Sequence, residues 1–443
     1  MRRGIETWTS FAGDQRCRPH AIARPASKTE VAAAFERAAE AGRNVRVAGA
    51  GHSYNDGALT DGTLISLKRM NRVLDVDPAS GLVRAEGGIT LHELSEVLDE
   101  HGLALRNLGD IDAQSLAGAT ATGTHGTGIE FPNLSAGVES VELVLPDGNT
   151  LECSRTSDLD AWRAARTSIG ALGAVTAVTL KTVPAFTLEA VQTTAPIEQV
   201  LEELDVRVEA NDHFEFFTFP HSRLALTKSS NRVDEAPRPP SRASAFLHDI
   251  VFTNYAYWGV CVAGRTSPRL SPMLNRLSSW TVGTRRRVDR SDRIYTTPRR
   301  VPLIELEYAI PRAHAVDAVR AVRAIAERPE FAAPTPIEAR FVAPDDAFLS
   351  PTCGREACYI TVFQFRGLDR ERYFGAVEDL LVGLGGRPHW GKRHSQTAET
   401  LRPRYHEWDR FQAVRARLDP DGRLANAHVE RVLGPPRGGA TST

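Results

Sequence analysis

The densest chemical signal in the chain is Ala117–Gly128, AGATATGTHGTG, twelve residues made only of Ala, Gly, Thr and one His. Such a run brings almost nothing to bury, so it reads as a ligand loop and not as a core element. Its glycines let backbone approach a ligand closely, and successive amides with threonine hydroxyls form a cradle for phosphate oxygens. The plainer reading, a small-residue turn between packed elements, fits its length less well. Two more small-residue loops, Gly49-Ala50-Gly51 and Ser168–Gly173, also border strand-like runs. No G-x-x-x-x-G-K-S/T occurs, which excludes a P-loop NTPase. Gly49–Tyr54 lacks the third glycine of a Rossmann fingerprint, which disfavours a nicotinamide cofactor. Three such loops together suit one extended dinucleotide.

The second signal lies late in the chain. Glu338 and Arg340 are two apart in a strand-like run, so they point the same way. His389-Trp390-Gly391-Lys392 carries one of only five lysines, the others being Lys28, Lys68, Lys181 and Lys228. Arginine supplies the remaining basic residues, a coding bias that leaves single arginines little weight and the lysines more. On the residues alone, Glu338 and Arg340 are a salt bridge, and His389 and Trp390 are packing at a domain seam.

The elements that must position these residues alternate. Ser27–Glu30 and Thr90–Glu93 are capping boxes, each opening a helix. Short strands are expected at Val45–Ala48, Gly81–Ala85 and Ala174–Thr182, with a hairpin over Ser140–Cys153. From Phe186 onward, long strand-like runs (Phe214–Phe219, Val301–Ile310, Cys358–Phe365) alternate with arginine-rich helices such as Ala313–Arg328. Asp234–Ser244 is a proline-rich loop. Thr284–Arg300 is basic and reads as a solvated face or loop more readily than as a nucleic-acid patch, because aromatic interleaving is sparse.

With 443 residues, 42% hydrophobic and 25% charged, the chain is an ordinary globular protein of two or three domains. A formal charge of −1 gives no global field to draw nucleic acid or an anionic membrane. Five scattered cysteines suit neither a disulfide framework nor a zinc site, and reduced thiols are expected. No metal is expected. The N-terminus lacks the apolar stretch of a signal peptide, and no run is long enough to insert stably in a membrane. A cytoplasmic location follows.

Together, GAGHSYNDGALTDG, GATATGTHGTG, SIGALGAV and RPHWGK resemble the vanillyl-alcohol-oxidase-type flavoproteins. Within them the chain is most similar to the branch of sugar-1,4-lactone and alditol oxidases, from about residue 15 to 434. The resemblance implies an α+β fold. A two-subdomain FAD-binding domain would span 15–185 and an α+β substrate cap 186–395. A segment over 396–434 would return to the FAD domain, with a flexible tail at 435–443.

It also implies FAD bonded covalently to His52, on a loop able to reach the dimethylbenzene edge. Gly49, Ala50, Gly51, Ser53, Ser115, Gly118, Ala119, Thr122, Gly123, Thr124, His125, Gly126 and Thr127 would cradle the cofactor. Gly109 and Asp110 would stand beside the flavin, and Gly173 and Val178 at its flavin and adenine side.

The implied catalytic set is Glu338, Arg340, Lys392 and His389. The implied reaction oxidises a secondary hydroxyl of an aldono-1,4-lactone, passing hydride to flavin N5. Reoxidation is by dioxygen or an electron carrier, and glycine at 109 resembles the oxidases. Phe363 departs from the histidine of alditol oxidases, which favours a lactone over an alditol. The alternatives are an alditol, cyclitol or sugar oxidase, and a flavin- or sugar-binding protein without turnover.

Overall fold

The computed structural model describes residues 6–435 except 282 and 332, so most of the expected tail, from residue 436, lies outside the described residues. The N-terminal part carries two larger sheets beside two short two-stranded ones. The first is parallel, with β1 (Ala21–Ala23), β2 (Val45–Ala48) and β3 (Thr63–Ser66) in the order β1-β3-β2. Helix α1 (Lys28–Glu40) lays Val31, Ala34, Phe35 and Ala38 on its buried face. Its Ser27 cap accepts the Glu30 amide, but the Glu30 carboxylate takes the Ala26 amide, one residue short of the reciprocal box expected.

The second sheet is antiparallel, built from β4 (Val73–Asp77), β5 (Leu82–Glu86), β6 (Val138–Val144), β7 (Thr150–Ser154) and β8 (Ala174–Lys181) in the order β7-β6-β8-β5-β4. Helix α2 (Leu91–Glu100) opens with the full Thr90/Glu93 capping box.

The small-residue run departs from expectation, because it begins inside helix α3 (Leu116–Ala121) with Ala119 and Thr120 buried. Alanine gives up no side-chain entropy in a helix, and so thin a helix packs where a bulky one would not fit. Ser115 caps it by accepting the Gly118 amide, and the Ala117 amide is bonded to the Gly87 carbonyl.

The C-terminal half is organised by one eight-stranded antiparallel sheet. Its strands are β9 (Thr187–Pro196), β10 (His213–Thr218), β11 (Leu224–Val233), β12 (Arg285–Arg290), β13 (Leu303–Pro311), β14 (Ile337–Val342), β15 (Ala357–Phe365) and β16 (Arg387–Pro388). They run in the order β12-β9-β11-β10-β14-β15-β13-β16. Helices between Ala315 and Ala326 and between Glu371 and Gly383 cover its apolar side. The basic segment is not a loop, since it opens as edge strand β12. Its arginines are paired: Arg286 with Glu189 and Glu235, and Arg290 with Glu96, Asp99 and Asp292.

Residues from Leu401 to Leu433 pack into the same core as the N-terminal five-stranded sheet. Among the described residues no helix is long and apolar enough to cross a membrane.

Arg46 on β2 ties these parts together. Its buried guanidinium donates to the carbonyls of Gly57, Ile169, Gly170 and Leu424, joining the loop after β2, the loop before β8 and the C-terminal segment. Burial pushes its pKa down to about 10, a sign of how dry the site is. Replacing Arg46 by Met would orphan the carbonyls of Ile169, Gly170 and Leu424, each bonded to a charged donor, and leave Gly57 only its Asn426 amide. The expected loss is about 3 kcal/mol or more of stability, with the bound cofactor lost as well, checked by thermal unfolding and FAD content.

Candidate functional site

The loops of the N-terminal part line an open cleft. Gly49, Ala50, Gly51, His52, Ser53, Ser115, Gly118, Thr122 and Gly173 all line it, as the sequence led one to expect. Gly51 has φ of 80°, a conformation open to glycine and strained for other residues. Ser115 Oγ accepts the Ala50 amide and so pins the first loop to α3. The ring of His52 stacks on Phe11 with centroids 4.4 Å apart. Its Nδ1 is buried without a hydrogen-bond partner. Burial, reinforced by the Lys392 charge, lowers the His52 pKa to about 4, so the imidazole is neutral at pH 7.

Other expected cofactor residues stand elsewhere. Ala119 and Val178 face the hydrophobic core, and Val175, three residues before Val178 and across a β-bulge, borders both that core and the cleft. Gly123 closes α3 with φ of 70°. Thr124 to Thr127 leave the cleft and hook onto the eight-stranded sheet. There the Thr127 hydroxyl donates to the Phe214 carbonyl and accepts the Phe341 amide, and Gly128 bridges to Val342. At Gly109 a Cβ would lie 2.8 Å from the His125 carbonyl oxygen, so its lack of a side chain is a packing requirement. Asp110 belongs to the charged cluster below.

That cluster occupies one face of the eight-stranded sheet. Pairing brings Lys228, Glu215, Arg340 and Tyr359 into one rung across β11, β10, β14 and β15, and Glu338, Thr361 and Glu307 into the next, across β14, β15 and β13. Directly opposed residues share a face. Arg340 Nη2 lies 2.6 Å from both Glu338 Oε1 and Asp110 Oδ2, and its Nε donates to Glu215 at 3.0 Å. Lys228 reaches Glu215 at 3.2 Å, and Arg299 also pairs with Asp110. Neither Arg340 Nη2 nor Glu338 Oε1 makes a hydrogen bond, because their close contact is misaligned.

Burial raises the Glu338 pKa to about 8 against the pull of Arg340. Burial also opposes ionisation of Asp110, yet Arg340 and Arg299 hold it well below the usual carboxylate range. The two neighbouring carboxyls are thus pushed in opposite directions, Glu338 up and Asp110 down.

Lys392 enters from the loop after β16. Its ammonium pairs with Glu305, lies 4.0 Å from Glu307, and sits over the Tyr54 ring, whose hydroxyl donates to Glu305. Burial favours the neutral amine, but Glu305 and Glu307 outweigh it and raise the Lys392 pKa.

His389, His125 and Glu307 bring donor atoms within 4.8 Å of one another. The Gly391 amide donates to His389 Nδ1, His125 Nδ1 faces the Gly126 carbonyl, and His125 Nε2 lies 3.3 Å from Glu307. Burial lowers the His389 pKa to about 3, keeping it neutral.

Residues 178–432 match the family described as D-arabinono-1,4-lactone oxidase, and residues 19–154 match an FAD binding domain. L-gulono-1,4-lactone dehydrogenase of Mycobacterium tuberculosis is 46% identical, the match covering 97% of this chain and 99% of the relative. The chain belongs to the D-arabinono-1,4-lactone oxidase family. L-gulonolactone oxidase of Bos taurus is 35% identical over 97% of this chain and 98% of its own length. A crystal structure of cholesterol oxidase from B. sterolicum aligns with a TM-score of 0.80 at 14% identity, covering 96% of each chain, which shows a shared fold.

The residues of this lactone-oxidase-family chain fit FAD. The cleft walls are mostly small residues that let backbone approach a ligand closely, and His52, whose buried Nδ1 has no hydrogen-bond partner, lines it. Sequence reading missed Gly87, Gln114 and His428 in the cleft, and Glu215, Lys228, Arg299, Glu305, Glu307 and Tyr54 around the charged face. The sequence does hold one signal for several of them. Acidic residues at alternate positions of an apolar strand, as in Ile304-Glu305-Leu306-Glu307, cannot be core and so must be paired. A Cβ at Gly87 would stand 2.2 Å from the Val175 carbonyl oxygen, forcing β5 and β8 apart at the cleft wall. Gly87→Ala is therefore expected to purify folded but largely without FAD, read by far-ultraviolet dichroism and flavin absorbance.

Proposed function

We propose that the chain oxidises a secondary hydroxyl of an aldono-1,4-lactone, at C2, with FAD held in the cleft and bonded to His52. The carrying observation is the buried Glu338–Arg340 ion pair, whose Oε1 and Nη2 make no aligned hydrogen bond, on a charged face that Lys392 also joins. FAD, when bound, supplies a two-electron acceptor for the hydride leaving the substrate carbon. Arg340 and Lys392 present cations to the substrate oxygen and stabilise negative charge as it develops there. Glu338, with its raised pKa, accepts the hydroxyl proton in its ionised form. His389 stays neutral and helps to set the loop that delivers Lys392, whose amide is bonded to the His389 carbonyl.

Charge balance supports an uncharged substrate. With Glu338 protonated, four carboxylates (Asp110, Glu215, Glu305, Glu307) face four cations (Lys228, Arg299, Arg340, Lys392). A neutral lactone leaves this balance intact, whereas an aldonate anion would add a charge. Phe363, buried opposite Glu305, supports a lactone over an alditol by withholding a polar partner there. Dioxygen is the proposed acceptor, with an electron carrier as the alternative.

Two measurements test the reading. After acid precipitation the yellow colour should stay with the polypeptide and map to the His52 peptide, and His52→Ala should release it to the supernatant. The neutral His52 imidazole, with a free ring nitrogen in the cleft, supports that bond.

Anaerobic mixing with L-gulono- or D-arabinono-1,4-lactone should bleach the flavin at a rate that rises with pH through about 8, as Glu338 ionises. Glu338→Gln should slow bleaching by roughly 10²–10⁴-fold and flatten that limb. Failure of every lactone and polyol to bleach the flavin would leave a binding protein without turnover.

A further inference from the structure

One part of the chain plays no role in the site above. Residues Phe246–Ala256 form a π-helix that runs on into a helix over Tyr257–Thr266, and a second helix returns over Ser271–Thr281. Nine of the 14 large hydrophobic side chains exposed among the described residues lie between Phe246 and Trp280.

The returning helix is inside out. Met273, Leu277 and Trp280 are 57%, 49% and 76% exposed and share one face at helical spacing, with Leu270 just before them. Its polar side chains point inward instead. Asn275 is buried and donates to the Ala333 carbonyl, and Ser279 is buried against the Ser222 hydroxyl. A helix at a water-facing surface carries the opposite pattern. The mount is firm, because buried Asn254 donates to the Pro298 carbonyl and accepts the Arg300 amide.

Charge identifies what covers this face. Between Arg242 and Thr281 the sequence has four arginines and one acid, Asp249, which gives +3 in a chain whose total is −1. Asp249 is held by Arg285, while exposed Arg265, Arg269 and Arg276 have no carboxylate partner among the described residues. A second copy of the chain would set these like charges against each other. An anionic lipid surface takes both features: Trp, Leu, Met and Phe enter the headgroup boundary while the arginines lie along it toward phosphate.

We infer that residues 246–281 form a peripheral docking face for anionic phospholipid membranes, laid on the surface and not spanning it. The holoprotein should cosediment with vesicles of phosphatidylcholine mixed with phosphatidylglycerol, should not with phosphatidylcholine alone, and should be released by salt. Changing Arg265, Arg269 and Arg276 together to Gln should weaken binding roughly a hundredfold. Changing Met273, Leu277 and Trp280 together to Ser should abolish it. FAD content and thermal unfolding should be unchanged in both, and the arginine set tests the face even where the serine set fails to fold. Absence of binding to the mixed vesicles, or equal binding to both kinds, would overturn the inference. So would a dimer in solution that the serine set makes monomeric, since the face would then belong to a second copy.

Discussion

A buried guanidinium is tolerable only when carboxylates surround it, and Arg340 meets that condition with partners from both halves of the molecule. Asp110 comes from the loop before α3, while Glu215 and Glu338 come from two strands of the large sheet. Removing Asp110 or Glu215 would leave charge stranded in a dry environment. The two halves are thus held in one relative position by the same groups that line the reaction site. Thr127 reinforces that seam by inserting its hydroxyl between β10 and β14.

The cofactor cleft rests on a different constraint, the closeness of its walls. Gly87, Gly49 and the alanines of α3 leave no side chains between backbone segments, and Arg46 holds three of those segments through their carbonyls. A wall of main-chain groups suits a long ligand rich in acceptors, since amides need no rotamer search to present a donor. Residues 401–433 complete the arrangement by packing into the core beneath it.

Charge and exposure are distributed unevenly over the rest of the chain. The arginines of β12 are neutralised by nearby acids, whereas those on the exposed helices before it are not. A sequence total near zero conceals both facts, because net charge sums over faces that never meet the same partner.

Local pattern by itself determined much of this protein. The capping residues, the alternation of the strands, the glycine loops and the same-facing Glu338 and Arg340 are properties of neighbours in the chain, and the resemblance in those motifs was enough to reach the family. It also carried nine of the residues that line the cleft.

What only the tertiary structure decided depends on contacts between distant segments. Arg46 and Arg299 look like any other basic residue in an arginine-rich chain, and the scarce Lys228 shows no partner, until carbonyls and carboxylates far away in sequence converge on them. Asp110 is tied to Arg340, and Thr127 to β14, by contacts that only the folded chain creates. The small-residue run misled for the same reason: lacking side chains of its own, its structure is set by what packs around it.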